Sequence, residues 1–345
     1  MRILVTGGAG FIGSNFIRYV LARSTRDEVI NLDALTYAGN LESLADLAAH
    51  PRYRFVRGDI VDGALVDTLM PEVSAVINFA AESHVDRSID APAAFLRTNV
   101  TGTAVLLEAA RRAGVERFVQ VSTDEVYGSL GPEGRFTESS LLRPSNPYAA
   151  SKAAADLLAL SFWTTYGMPV IVTRCSNNFG PYQFPEKVIP LFVTNALADE
   201  PVPLYGDGLN VRDWIYVEDH CAALDAVVRR GRPGEVYNIG AGNERTNVQL
   251  TEFILRELGK PLSLIRYVTD RLGHDRRYAL DASKLCEELD WRPAHHFDGA
   301  LRATIAWYRE HDSWWRHVKS GEYRAYYERM YGDRFRHARA GEAAS

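Results

Sequence analysis

The sequence predicts an α/β protein: a doubly wound, mostly parallel sheet with helices on both faces, joined to a smaller mixed C-terminal domain. Three observations lead there. Short, wholly apolar strands such as Ile3-Leu4-Val5 read as buried on both faces. They alternate with helical segments up to about residue 174. A glycine run, Gly7, Gly8, Gly10 and Gly13, joins the first strand to the first helix. Beyond residue 174 short apolar runs are broken by Pro and Gly, as in a second domain built partly from excursions. The expected division is 1–174 and 175–330, with segments of the second interleaved back into the first.

The chain has 345 residues, 46% hydrophobic and 24% charged, with a net charge of −5. That balance is ordinary for a globular enzyme and gives no reason to expect bulk nucleic-acid or anionic-membrane binding. The three cysteines, Cys175, Cys221 and Cys286, show no zinc spacing or disulfide framework, which fits a reducing compartment. Met1-Arg2 leads directly into a strand, and no apolar run is long enough to span a bilayer. A cytoplasmic location is expected.

After the first strand, Thr6-Gly7-Gly8-Ala9-Gly10-Phe11-Ile12-Gly13 precedes an amphipathic helix from Ser14 to Arg23. Glycines there allow a tight turn and let backbone N–H groups approach a pyrophosphate at the helix N-terminus. A second strand, Glu28 to Leu32, ends at Asp33, 20 residues beyond Gly13. At that distance an acid meets the adenosine ribose hydroxyls. Its charge repels a 2′-phosphate and no arginine follows closely, so NAD is expected rather than NADP. The third strand, Tyr53 to Val56, ends in Gly58-Asp59-Ile60, where an acid and an apolar residue are placed to flank an adenine. The fourth, Ala75 to Asn78, ends in Phe79-Ala80-Ala81-Glu82-Ser83-His84, whose small residues let a cofactor pass close. Helix Phe95 to Ala113 and strand Arg117 to Ser122 complete a Rossmann-type pattern, with ligands expected at the carboxyl edge of the sheet. His84, beside Asp86 and Arg87, is the kind of lone histidine that is more often structural, and no metal cluster emerges.

Tyr148 and Lys152 stand four apart in Asn146-Pro147-Tyr148-Ala149-Ala150-Ser151-Lys152. Pro147 suits a first helical position and the alanines favour a helix, so phenol and ammonium share a face. A free tyrosine ionises near pH ~10, and an adjacent cation favours the phenolate that can take an alcohol proton. Upstream, Thr123-Asp124-Glu125 sets a hydroxyl and two carboxylates at a strand end. Two adjacent carboxyls suggest one acid and one base. Alone, such motifs occur by chance on helices and turns; a redox cofactor in the same domain makes them a candidate catalytic centre.

Strand Pro169 to Arg174 then leads into Cys175-Ser176-Asn177-Asn178-Phe179-Gly180-Pro181-Tyr182. Asn177, Lys187, Arg212, Asn247, Arg271 and His274 are fit for a phosphorylated ligand, and a guanidinium such as Arg212 grips phosphate bidentately. Singly, each is more often a surface charge or local salt bridge, and spacing does not show that they converge. From Trp307 to Arg339 aromatic and basic residues mix, but Glu310, Asp312, Glu322 and Glu328 interrupt them. A packed amphipathic helix is expected there rather than a nucleic-acid surface. Arg336 to Ser345 has little to bury and is expected to fray.

From Met1 to about Met330 these residues resemble the extended short-chain dehydrogenase/reductases that act on nucleotide sugars, through the glycine run, Asp33 and Tyr148-x-x-x-Lys152. Leu35-Thr36-Tyr37-Ala38-Gly39-Asn40-Leu41, Ala80-Ala81-Glu82-Ser83-His84-Val85-Asp86-Arg87-Ser88 and Ser122-Thr123-Asp124-Glu125-Val126-Tyr127-Gly128 narrow the resemblance to the dTDP-glucose 4,6-dehydratase family. Gly206-Asp207-Gly208 through Arg212-Asp213-Trp214, and Gly273-His274-Asp275-Arg276-Arg277-Tyr278, agree. The carboxylate pair is the most specific sign. Epimerases of this fold usually carry small residues where Asp124 and Glu125 stand. GDP-mannose dehydratases and UDP-glucuronate decarboxylases usually keep the Glu without the Asp.

The resemblance implies that Tyr148 is the base for the C4 hydroxyl of dTDP-glucose, with Lys152 lowering its pKa and holding the nicotinamide ribose. Thr123 would bond the C4 oxygen, Asp124 would protonate the departing C6 hydroxyl, and Glu125 would remove the C5 proton. It implies an NAD site of Gly7, Gly10, Phe11, Ile12, Gly13, Asp33, Ala34, Leu35, Thr36, Asp59, Ile60, Phe79, Ala80, Ala81, Ser83, Thr98 and Asn178, with Tyr148 and Lys152. It implies a substrate site of Ser83, Thr123, Asp124, Glu125, Asn177, Lys187, Val188, Pro203, Tyr205, Arg212, Asn247, Arg271 and His274. Helices 95–113 and 148–166 would form a homodimer bundle. Leu272 departs from the family, which often has proline between the Arg and the Gly. The alternatives are a UDP-sugar 4-epimerase or decarboxylase, against which Asp124 argues, and a non-catalytic NAD-binding sensor. Such sensors commonly lose the Tyr or the Lys, and both are present.

Overall fold

The computed structural model describes residues 1–320 and 323–331. Its strands, in chain order, are β1 Arg2–Thr6, β2 Glu28–Asp33, β3 Tyr53–Arg57, β4 Ala75–Asn78, β5 Arg117–Thr123, β6 Val170–Cys175, β7 Asn177–Phe179, β8 Val202–Tyr205, β9 Val211–Tyr216, β10 Val236–Ile239, β11 Glu244–Thr246 and β12 Ile265–Val268. The first six and β10 form one parallel sheet in the order β10-β6-β5-β4-β1-β2-β3. Strand order reverses between β1 and β4, the place where such sheets open a crevice at their carboxyl edge.

Alternation along β1 explains why the sheet is covered twice. Ile3 and Val5 join one core with Phe16, Ile17 and Val20 of helix Phe11–Arg23 and Leu224 of helix Val217–Arg230. Leu4 joins the other, with Leu106 of helix Thr103–Ala113 and Phe162 of helix Pro147–Tyr166. A buried polar ladder runs across the middle of the sheet. Thr6 Oγ1 donates to Asn78 Oδ1 at 2.5 Å, and Asn78 Nδ2 donates to Gln120 Oε1 at 2.8 Å. These are paired positions on β1, β4 and β5, so the bonds hold the three strands in register beneath the site.

Helix Pro147–Tyr166 begins as its sequence dictates. The Asn146 side chain accepts from the Ala149 N–H at 2.9 Å, Pro147 opens the first turn, and Gly167 ends the helix at φ 65°. The segment expected as one helix from Phe95 differs. An α turn at Pro92–Phe95 passes into a π-helical stretch, Leu96–Gly102, before the α-helix Thr103–Ala113. A π turn re-aims the side chains it carries, and Thr98 lies on this one.

The remaining strands form a mixed sheet, β11-β9-β7, and a parallel pair, β12-β8. They surround a separate core that includes Phe179, Phe192, Trp214, Ile254 and Leu301. Trp314 and Trp315 of the aromatic, basic segment are buried in that core, and Trp315 Nε1 donates to the Tyr308 carbonyl at 2.9 Å. The described part of the segment therefore packs inward. The stretch expected to fray, 336–345, lies outside the described residues. Among those described, no helix is long and apolar enough to cross a membrane.

Candidate active site

A cavity of about 410 Å³ runs along the carboxyl ends of β1, β2, β4, β5 and β6. The glycine loop is its floor, and close packing requires the glycines there. A Cβ on Gly7 would lie 2.7 Å from the Ala80 nitrogen, and one on Gly13 would lie 2.4 Å from the Gly7 oxygen. Asp33 shapes the same end, since its carboxylate accepts from the Ala9 N–H and the Leu35 N–H, each at 2.8 Å. Every residue expected in the NAD site lines this cavity except Leu35. Leu35 acts through its backbone, held at φ 54° with its N–H on Asp33. The cradle fits a dinucleotide: a glycine floor, an acid at one end, and small Ala80 and Ala81 at the switch point.

A second cavity of about 140 Å³ adjoins the first, and Glu125, Asn177, Asn178, Gln183, Glu186 and Lys187 line both. Val188, Pro203, Tyr205, Arg212, Asn247, Arg271 and His274 line the second alone. The convergence that spacing could not establish is thus present in the fold. Arg212 comes from β9, with its guanidinium 4.4 Å from the Tyr278 ring centroid and bonded to the Asp275 carbonyl at 2.9 Å. Lys187 donates to the Ser83 carbonyl at 2.9 Å, which ties this cavity to the end of β4. His274 is held to Asp270 at 2.6 Å, and burial, then Arg271 and Arg212, depress it to about 4. It is therefore a neutral imidazole at pH 7.

The five expected catalytic residues all line the larger cavity, and Glu125 faces both. Thr123 ends β5 and caps the short turn Asp124–Tyr127. Its hydroxyl donates to Asp124 Oδ1 at 3.2 Å and accepts from the Glu125 N–H at 3.3 Å. Asp124 Oδ2 and Glu125 Oε2 are buried and find no partner among the described residues. Burial, then the charge of Glu125, raises Asp124 well above the ordinary carboxylate range, which favours its protonated form. Tyr148 is also raised well above its usual value, by burial first and then by Glu125. Lys152 is not among the groups that set this shift; its ammonium donates to the Val121 carbonyl at 2.6 Å. Burial also pulls Lys152 below the usual lysine range.

The GDP-mannose 4,6 dehydratase family model matches residues 4–304. A dTDP-glucose 4,6-dehydratase of Xanthomonas campestris pv. campestris is 54% identical over 341 residues, covering 93% of this chain and 97% of the relative. This chain belongs to the dTDP-glucose 4,6-dehydratase family. A dTDP-glucose 4,6-dehydratase from Streptomyces venezuelae, solved with NAD and TYD bound, superposes with a TM-score of 0.91 at 54% identity, covering 92% of this chain and all of that one. A UDP-glucose 4-epimerase of Thermus thermophilus, solved with NAD, has a TM-score of 0.84 at 33% identity over 90% of this chain and all of its own.

Within this dehydratase-family chain, several site residues escaped the sequence reading. Glu186 lines both cavities and pairs with Arg87 at 3.1 Å. Gln183 donates to the Asn178 carbonyl at 2.9 Å. Tyr278 forms part of the second cavity and donates to Asp275 Oδ2 at 2.5 Å. All three stand outside regular helices and strands, so no periodicity marked them. His220 accounts for the placement of Asn178. Its Nδ1 lies 2.8 Å from Asn178 Oδ1 while Asn178 Nδ2 donates to the Ser176 carbonyl, so the imidazole is the donor. Among the described residues no cluster could hold a metal ion.

Proposed function

We propose that this chain is an NAD-dependent hydro-lyase that converts dTDP-glucose to dTDP-4-keto-6-deoxyglucose and water. The observation that carries the reading is the buried, adjacent pair Asp124 and Glu125, each with a carboxylate oxygen that finds no partner among the described residues, where the two cavities meet. An epimerase has no leaving hydroxyl to protonate and no use for Asp124.

The chemistry explains the pair. Water cannot readily leave across C5 and C6 of a hexose because the C5 proton is not acidic. Oxidation at C4 makes C5 an α-carbon, and a carboxylate can then remove its proton. NAD, when bound, supplies the acceptor for the C4 hydride and returns it to C6. The loop Gly7 to Gly13 and Asp33 hold the dinucleotide, with Lys152 beside the nicotinamide ribose. Tyr148 takes the proton of the C4 hydroxyl, whose oxygen bonds Thr123. Glu125 removes the C5 proton, and Asp124 gives its own to the departing C6 hydroxyl, which leaves as water. As the hydride returns to C6, Glu125 protonates C5, and Asp124 regains a proton, either the C4-hydroxyl proton held by Tyr148 or one from solvent. Arg212, Lys187 and Asn177 hold the diphosphate, and Pro203 to Tyr205 meet the base.

A homodimer fits the outer face of the helices Thr103–Ala113 and Pro147–Tyr166 with the preceding π stretch, where Leu96, Leu157 and Tyr166 are each more than half exposed. We take the working compartment to be the cytoplasm, and the natural division to be a cofactor domain, 1–174, and a substrate domain, 175–330, of which segments such as helix Val217–Arg230 and β10 are interleaved back into the first. Incubation with dTDP-, UDP- and GDP-hexoses tests the whole reading. A product lighter by one water, absorbing in alkali as a 4-keto-6-deoxy sugar, should form from dTDP-glucose. Inversion at C4 without loss of water would sink it.

A further inference from the structure

Two irregular segments roof the larger cavity. The first contributes Ala34, Thr36, Ala38 and Gly39, and the second Gln183, Phe184, Glu186 and Lys187. Each enters through a residue in the left-handed region, Leu35 at φ 54° and Tyr182 at φ 66°, conformations that need outside support in a residue with a side chain. Neither segment belongs to a helix or strand, and besides a few main-chain bonds such as that from the Asn40 N–H to the Ala9 carbonyl, side chains hold them in place.

Arg87 touches both. Its guanidinium lies 3.9 Å from the ring centroid of Tyr37, in the first segment, and pairs through Nε with Glu186, in the second, at 3.1 Å. The same guanidinium lies 4.0 Å from the ring centroid of Tyr326, on the helix at residues 323–331. That helix reaches the second segment independently. Tyr323 donates to the Pro185 carbonyl at 2.8 Å, and its ring packs edge-on against Phe184 at 5.7 Å. Phe184 in turn meets Tyr37 at 5.8 Å. Tyr326 is anchored as well, with its hydroxyl 3.2 Å from Nδ1 of the buried His84. Neither Arg87 nor Tyr326 lines either cavity.

We propose that Arg87, held against Tyr326, is a positioning residue that clasps the two roof segments over the dinucleotide and keeps it bound between turnovers. The inference rests on the NAD-dependent reading above. A cycle that returns its hydride to the same substrate gains nothing by releasing the cofactor, so a roof that stays shut suits it. A guanidinium suits the clasp because its plane can bear on a ring while its edge pairs with a carboxylate. Lysine keeps the charge and loses the plane.

The test uses full-length holoenzyme with Arg87→Lys and Tyr326→Leu, two changes that leave Glu186 a cationic neighbour. NAD dissociation is timed after rapid gel filtration, and kcat is measured with saturating added NAD. Each variant should lose NAD about tenfold faster, the scale of one partly buried cation–π contact. The double variant should be little worse than either single. Added NAD should restore kcat to within about twofold of wild type. Unchanged dissociation in Tyr326→Leu overturns the proposal even if Arg87→Lys accumulates no folded protein. A kcat that added NAD does not restore also overturns it, because the residues would then serve the chemistry or the fold. A wild-type protein that holds no NAD and dehydrates no nucleotide hexose would instead sink the parent reading.

Discussion

Lys152 donates to the main-chain carbonyl of Val121 at 2.6 Å, which ties helix Pro147–Tyr166 to β5 two residues before Thr123. The bond fixes one donor of the ammonium on the scaffold, while the phenol of Tyr148 sits among Glu125, Cys175 and Asp124, each of which opposes its ionisation after burial itself. A base in this position needs a cation that arrives with the ligands. The phenolate of Tyr148 should therefore form at lower pH in NAD-loaded protein than in protein stripped of NAD. Ultraviolet titration of wild type minus Tyr148→Phe measures this, and identical midpoints in the two forms would refute it.

Tyr148→Phe keeps the ring that packs edge-on against Phe95 at 6.3 Å and removes only the hydroxyl. General-base catalysis is worth roughly 10²–10⁴ in rate. The oxidation step should slow by that factor in single-turnover experiments, with nucleotide binding little changed. Near-wild-type turnover would make the Tyr148 and Lys152 pair structural.

Asp33 organises two loops through two charge-assisted bonds, to Ala9 and Leu35. Such bonds contribute about 1.5–3 kcal/mol each. Asp33→Ala should weaken NAD binding by about 10- to 100-fold by calorimetry. A wild-type preference for NADP over NAD would contradict the role given to this carboxylate.

Asp124 should limit stability as well as serve catalysis. Its pKa is raised in the folded protein, by burial first, so the folded chain keeps a proton that the unfolded chain releases near pH ~4. Wild-type stability is then full below that pH and falls as pH rises towards the folded-state pKa, by at most about tenfold in the folding constant per pH unit. Asn keeps the Thr123 bond and cannot ionise. The stability gap in favour of Asp124→Asn should widen from pH 4 to pH 7 in denaturant titrations. A gap that stays constant with pH would show that Asp124 is not held protonated.

How far the sequence spoke depends on how local each signal was. The glycine loop, Asp33 and the helix from Pro147 were legible because turn chemistry, caps and apolar runs act over a few residues. The π stretch at Leu96–Gly102 was not, since its side chains keep an ordinary helical pattern while the backbone gains a wider turn. Nor could spacing show that Arg212 on β9, Lys187 before helix Val188–Leu197 and His274 in a loop share one cavity. Arg87 and Tyr326 meet only in the fold.

The division of labour proposed for the two carboxyls would set this chain's chemistry apart from that of an epimerase. If Glu125 removes the C5 proton and Asp124 protonates the C6 hydroxyl, both act after the C4 hydride has left. Glu125→Gln given dTDP-glucose should therefore still show the absorbance of reduced nicotinamide, yet form no dehydrated product. Asp124→Asn should show the same absorbance and lose water slowly, because an amide cannot supply a carboxylic proton to the leaving group. Both residues have a buried oxygen with no partner among the described residues, so both changes alter the face turned towards the ligand more than the packing behind it. With wild-type enzyme in D₂O, the product should gain deuterium at C5, while deuterium placed at C4 of the substrate should reappear at C6 undiluted. Single turnovers followed by nicotinamide absorbance and product mass read all of these together. If Glu125→Gln blocks cofactor reduction as completely as Tyr148→Phe does, Glu125 acts in the first step and the assignment of the two carboxyls is wrong.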